Sequence, residues 1–239
     1  MSGGWTAKRF WSEVQVVPVE GGFAIHLDNR PVKTPAKAPL VVPTQAMAQA
    51  IAEEWAAQEG VIKPETMPLT RSANAAIDKV STQRAEVVAL IAEYGGSDLL
   101  CYRAEAPAAL AARQAAAWDP LLDWAVEALG APLCSTAGIV PVPQDPAALA
   151  RLHARVAQMS AFEIAALHDL VGITGSLILG LAVALGRETA ARAWDLSRID
   201  EDWQISQWGD DDEAIAFAEM RREALLHAER FWQLAKFAG

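Results

Sequence analysis

Residues 161–186 read AFEIAALHDLVGITGSLILGLAVALG, and the second half of this stretch is apolar on every face of a helix. A helix hydrophobic all round is either enclosed by its own protein or set in a membrane. The mostly apolar part, Ile173 to Leu185, is interrupted by Thr174, Gly175, Ser176 and Gly180. It is also shorter than the roughly 20 apolar residues that a bilayer crossing needs. The expectation is a buried helix, no membrane insertion, and a helical bundle assembled around this segment. Gly172, Gly175, Ser176 and Gly180 would let neighbouring helices approach closely.

Composition sets the frame. A chain of 239 residues has room for one large or two modest domains. With 52% hydrophobic and 21% charged residues and a mean hydropathy of +0.13, it has the balance of a folded globular protein. Nine Trp accompany only two Tyr, and Trp is enriched in buried anchors and interface hot spots. A net charge of −10 repels a phosphate backbone, so no nucleic acid partner is expected and a basic protein surface is favoured. Cys101 and Cys134 lack metal-ligand spacing and read as reduced, partly buried thiols. His26, His153, His168 and His227 form no zinc signature, so no metal is expected. The opening MSGGWTAKRFW has no apolar run of the kind a cleaved targeting peptide carries, which points to the cytoplasm.

Working outward, the pattern before the helices is β. EVQVVPVE, the pair Gly21-Gly22 and FAIHL predict a hairpin, because Gly accepts the positive φ of tight turns. Asp28-Asn29 predicts the next turn, and Leu40 to Val42 an edge strand among prolines. Thr44 as N-cap and Gly60 as stop frame a helix that carries Met47, Ile51, Trp55 and Gln58 along the side covering the sheet. VIKPETMPLT reads as a connector, giving an α+β protein with a small β-rich N-terminal domain over 1–66 and a larger helical domain over 67–239. Predicted helices there are Leu69–Val80, Thr82–Tyr94, Ala106–Ala117, Pro120–Leu129, Pro146–Met159, the central segment, Glu188–Trp208 and Asp212–Phe237. Asp119-Pro120 and Asp145-Pro146 both read as an N-cap followed by a first-turn proline.

The chemistry-bearing stretch is LSRIDEDWQISQWGDDDE, Leu196 to Glu213. On a helix, Leu196, Ile199 and Trp203 form a core-facing stripe, and Glu201, Ile205 and Trp208 form a neighbouring one. If the second stripe faces solvent, it has the composition of a binding anchor edged by charge. If it faces inward, Trp208 is another core residue and Glu201 an ordinary acid. Asp210 to Glu213 cap the last helix and extend an acidic patch with Asp200, Glu201 and Asp202. Catalytic patterns are sparse: Glu53-Glu54 diverge on a helix, His168-Asp169 reads as a core histidine beside an acid, and Gly21-Gly22 lacks the Lys-Ser/Thr of a phosphate loop.

One ordered series of residues resembles a known family. It comprises Arg9-Phe10-Trp11, Leu27-Asp28-Asn29-Arg30-Pro31, Lys33-Thr34-Pro35, Glu54-Trp55 with Gln58, and Met67-Pro68-Leu69-Thr70. It continues through Ala76-Ile77-Asp78, Tyr102-Arg103, Trp118-Asp119-Pro120, Gly175-Ser176, Leu196-Ser197-Arg198 and Gln204 to Gly209. Over nearly the whole chain these resemble the F1-ATPase assembly chaperones that bind the α subunit. The resemblance implies a non-enzymatic protein without cofactor that holds the F1 α subunit until it pairs with β. It also implies a functional acid just before Gln204, with Glu201 the foremost candidate beside Asp200 and Asp202. The partner-binding surface is thus expected around Glu201, Asp200, Asp202, Ile205, Trp208 and Trp55, on a monomer. The alternative is a small-molecule enzyme using a cleft between the domains.

Overall fold

The computed structural model describes residues 8–209 and 211–236. These residues divide into two compact units, the first made of 8–84, 160–166 and 230–236, the second of 85–159, 167–209 and 211–229.

In the first unit, β1 (Val14–Val19) and β2 (Gly22–Leu27) pair antiparallel across Gly21-Gly22, with Val16 opposite Ile25. β3 (Arg30–Pro31) and β4 (Val41–Val42) both pair with β2. Asp28 turns the chain at φ +54°, and its carboxylate accepts from the N–H groups of Ser12 and Glu13. Those donors hold its pKa below the ordinary value. α1 (Gln45–Ala56) starts at Thr44, whose hydroxyl accepts from Met47 N at 3.1 Å and donates to the Leu234 carbonyl at 2.7 Å. Met47, Ile51 and Trp55 are buried along one side, as the spacing predicts.

This unit runs past residue 66 because polar contacts bind the next helix into it. The Glu54 carboxylate accepts from Leu69 N, Thr70 N and Thr70 Oγ1 at 2.7 to 2.8 Å. It thereby caps α2 (Pro68–Ala75), which continues as a π turn over Ala76–Val80. Asp78, on that turn, accepts from Thr34 Oγ1 at 2.6 Å and Ala36 N at 3.0 Å.

The second unit is helical apart from a two-residue parallel pairing of β5 (Tyr102–Arg103) with β6 (Thr136–Ala137). Its helices begin with α3 (Arg84–Glu93), α4 (Ala108–Leu129) and α5 (Pro146–Ala157), and α6 (Ala161–Thr174) is counted here from Leu167. α7 (Leu177–Ala184), α8 (Ala190–Ser197) and α9 (Ile199–Trp208) follow, then α10 (Asp212–Lys236), counted here as far as Glu229. Among the described residues no helix is long and apolar enough to cross a membrane.

Three boundaries differ from the sequence expectation. Residues 108–129 form one helix with Pro120 inside it, so Asp119 caps nothing. An interior proline costs about 3 kcal/mol, and burial of Trp118, Leu121, Leu122 and Ala125 offsets that cost. Asp119 instead pairs with Arg103 at 2.7 Å, and Trp118 Nε1 donates to the Leu196 carbonyl at 2.8 Å. The central apolar segment is two helices, broken where Gly175 takes φ +70° and Ser176 accepts from Leu179 N. The stretch predicted as Glu188–Trp208 also breaks, at Arg198. Phe237, the predicted end of the last helix, lies outside the described residues.

Every residue of α7 is buried. Asp98, fully buried, serves its N-terminus, accepting from Ile178 N at 3.0 Å and Ser176 Oγ at 2.6 Å, and from Leu100 N at 3.0 Å. Burial pushes its carboxyl up, and these donors offset only part of the rise. At Gly180 α7 lies close against α6, since a Cβ there would lie 2.5 Å from Val171 Cγ2.

Candidate groove

The stripe read from Glu201, Ile205 and Trp208 faces outward. Glu201, Gln204, Ile205 and Trp208, spaced i, i+3, i+4, i+7 on α9, line a surface groove of about 650 Å³. Trp208 is 81% exposed, so its indole is no core residue. Of the parallel stripe, Leu196 on α8 and Ile199 on α9 are buried, while Trp203 is half-buried and not fully in the core.

Other elements complete the groove, among them α8 with Trp194 and Ser197. The end of α6 contributes Gly172 and Ile173, and the first half of α10 contributes Ala214, Phe217, Ala218 and Arg221. Gly209, at φ +83°, turns the chain between α9 and α10. Asp211 then opens α10, its carboxylate accepting from Ala214 N at 2.8 Å. Asp212 through Phe217 are all exposed, and Phe217, Ile215 and Met220 are each more than half exposed. A second hollow, about 600 Å³, adjoins along α10 and shares Ala214 and Phe217.

The charges within the groove are unequally engaged. Arg198 pairs with Asp202 at 3.6 Å and lies over the Trp194 ring. Arg221 donates to the Ile173 carbonyl at 2.7 Å, satisfying an open acceptor at the end of α6, and lies over Phe217. Both guanidiniums are therefore spent on the fold. Glu201 is exposed and has no hydrogen bond or ion pair among the described residues.

The structure separates the three candidate acids. Asp200 is half-buried and accepts from Gln114 Nε2. Asp202 is paired with Arg198 and lines a different hollow, with Arg113 and Arg192. Only Glu201 lines the groove. Asp210 lies outside the described residues. Trp55 is a correction to the expected surface: it is 6% exposed, packed in the first unit edge-on to Trp11 at 5.4 Å. The same helical spacing that put it beside Met47 and Ile51 turns it towards the sheet. His168, expected in the core, is exposed and within 3.0 Å of Asp169.

Chemically the groove suits contact. Among the described residues no His, Cys or Lys lines it and Glu201 is the one carboxylate that does, so these bring no acid and base together there. Among the described residues no three His, Cys, Asp or Glu are grouped to hold a metal ion. Cys101 is buried, and burial pushes its thiol up to about 12, whereas Cys134 is exposed. Sequence reasoning missed Phe217 and Arg221, and it read Gly172 as a place of close helix approach, where a Cβ would in fact meet nothing within 4 Å. The available signal was the run Ala214 to Met220, whose apolar residues follow no single helical stripe.

The family model of the ATP12 chaperone protein matches residues 8–126. The crystal structure of Atp12 from Paracoccus denitrificans is similar with a TM-score of 0.94 at 55% identity, over 97% of this chain and 100% of that one. A variant of the Paracoccus protein, carrying an acid-to-lysine substitution, matches equally closely, at 55% identity and a TM-score of 0.94 over 97% of this chain and 99% of that one. A protein of Agrobacterium tumefaciens matches with a TM-score of 0.90 at 42% identity, over 96% of this chain and 86% of that one. With identity of this order over almost the whole of the fold just described, the chain belongs to the ATP12 chaperone family.

Proposed function

We propose that this protein, an F1-ATPase assembly chaperone by family, holds the unassembled α subunit of F1 through the groove between α9 and the first half of α10, without turnover of any substrate. The observation that carries the reading is an indole 81% exposed in the same groove as a carboxylate with no partner among the described residues, while the groove's arginines are both engaged. A lone ring subunit exposes apolar surface that is covered only in the finished ring, and such surface invites aggregation. Reversible cover needs apolar anchors for affinity and charge for orientation. Trp208, Ile205 and Phe217 supply the first, and Glu201 supplies the second.

The test is capture of tagged F1 α subunit by the purified chain, with wild type beside Glu201→Lys. Glu201 is exposed on α9, so the reversal leaves the melting temperature within a few degrees while capture drops by about tenfold or more. A folded Glu201→Lys that captures α as well as wild type contradicts the site. Failure of wild type to capture α contradicts the function.

A further inference from the structure

The groove also specifies the kind of segment that enters it. Its lining comes from helices and the turns between them, and no strand edge is among the lining residues. An extended segment entering it would find no ladder to join, and its backbone N–H and C=O groups would be left without partners. A helix satisfies its own backbone and presents only side chains, which is what a trough walled by α6, α8, α9 and α10 accepts. α9, ten residues long, is about 15 Å in length, room for about three turns of a neighbour alongside.

Charge adds the second condition. Glu201 in the groove, and Asp212 and Glu213 at the start of α10, have no hydrogen bond or ion pair among the described residues, while Arg198 and Arg221 are engaged. A bare apolar helix would leave those carboxylates unanswered. One with Lys or Arg along its flank would meet them.

Gly172 supplies the third. It lies in α6 with its face open to the groove, and a Cβ built there meets nothing within 4 Å. Gly180, by contrast, is filled by Val171. The room at Gly172 is not used by this chain.

Resting on the reading above, we infer that the groove receives an amphipathic helix of the F1 α subunit, its apolar face against Ile205, Trp208 and Phe217, its basic flank towards Glu201, and its backbone drawn close over Gly172.

The experiment fills the space without removing a contact. Gly172→Leu keeps the fold, because Leu favours a helix over Gly and the side chain has open room. It lowers capture of purified F1 α subunit by about tenfold or more, while Gly172→Ala lowers it little. As a second arm, a photoreactive phenylalanine analogue at Phe217 is cross-linked to α, and the product falls in a helical segment of α that carries Lys or Arg. Equal capture by a folded Gly172→Leu, or a cross-link to a strand or an acidic segment, overturns the inference and leaves the proposed function standing. Absence of capture by wild type overturns both.

Discussion

α7 and the first half of α10 are both helical and both rich in apolar residues, yet all eight residues of α7 are buried while Asp212 through Phe217 are all exposed. Apolar composition alone therefore does not decide burial here. α7 is capped from below by Asp98 and Ser176 and crossed tightly at Gly180, so its apolar side chains stabilise the fold of this chain. The first half of α10 carries the Asp211 cap and the Arg221 bond to Ile173. Its Ile215, Phe217 and Met220 add little to stability and remain available to another molecule.

The comparison breaks if substitutions in the two helices have like effects. The largest loss of stability is expected from Asp98→Ala, which strips partners from Ile178 N, Leu100 N and Ser176 Oγ inside the core. Buried donors left open cost about 1–3 kcal/mol each, so a loss of about 3 kcal/mol or more should appear in urea unfolding. A loss below about 1 kcal/mol would mean that the cap of α7 is dispensable. Next is Gly180→Leu, where the first added carbon already meets Val171 at 2.5 Å. Overpacking of this kind costs about 1–3 kcal/mol, and an unchanged unfolding midpoint would show that the crossing is loose.

Much of this contrast was legible in the residues, and the rest was not for definite reasons. That Glu201, Ile205 and Trp208 share one stripe follows from helical spacing, and the caps at Thr44 and Asp145 and the hairpin at Gly21-Gly22 follow from their residue types. Whether that stripe met solvent was open, because a Trp serves cores and interfaces alike. For Trp55 the same ambiguity resolved the other way, since its side of α1 is the one that Met47 and Ile51 bury. Pro120 reads locally as a helix start, but the local preference yields to Trp118, Leu121 and Leu122, which need one continuous helix to reach the core. Conversely, Gly175-Ser176 carries a stop and a start within an apolar run, and the run hides them. Gly172, Glu201 and Phe217 meet only in three dimensions, so no spacing rule could have assembled the groove.

The smallest effect on stability and the largest on binding should coincide at Trp208. With 81% of it exposed, Trp208→Ala should shift unfolding free energy by less than about 0.5 kcal/mol. The direct measurement is the binding isotherm of isolated F1 α subunit against wild type and Trp208→Ala, both checked for equal melting. An aromatic hot spot of about 2 kcal/mol corresponds to roughly 30-fold weaker binding for the variant. Superimposable isotherms would contradict the assignment of this groove as the place where the subunit is held.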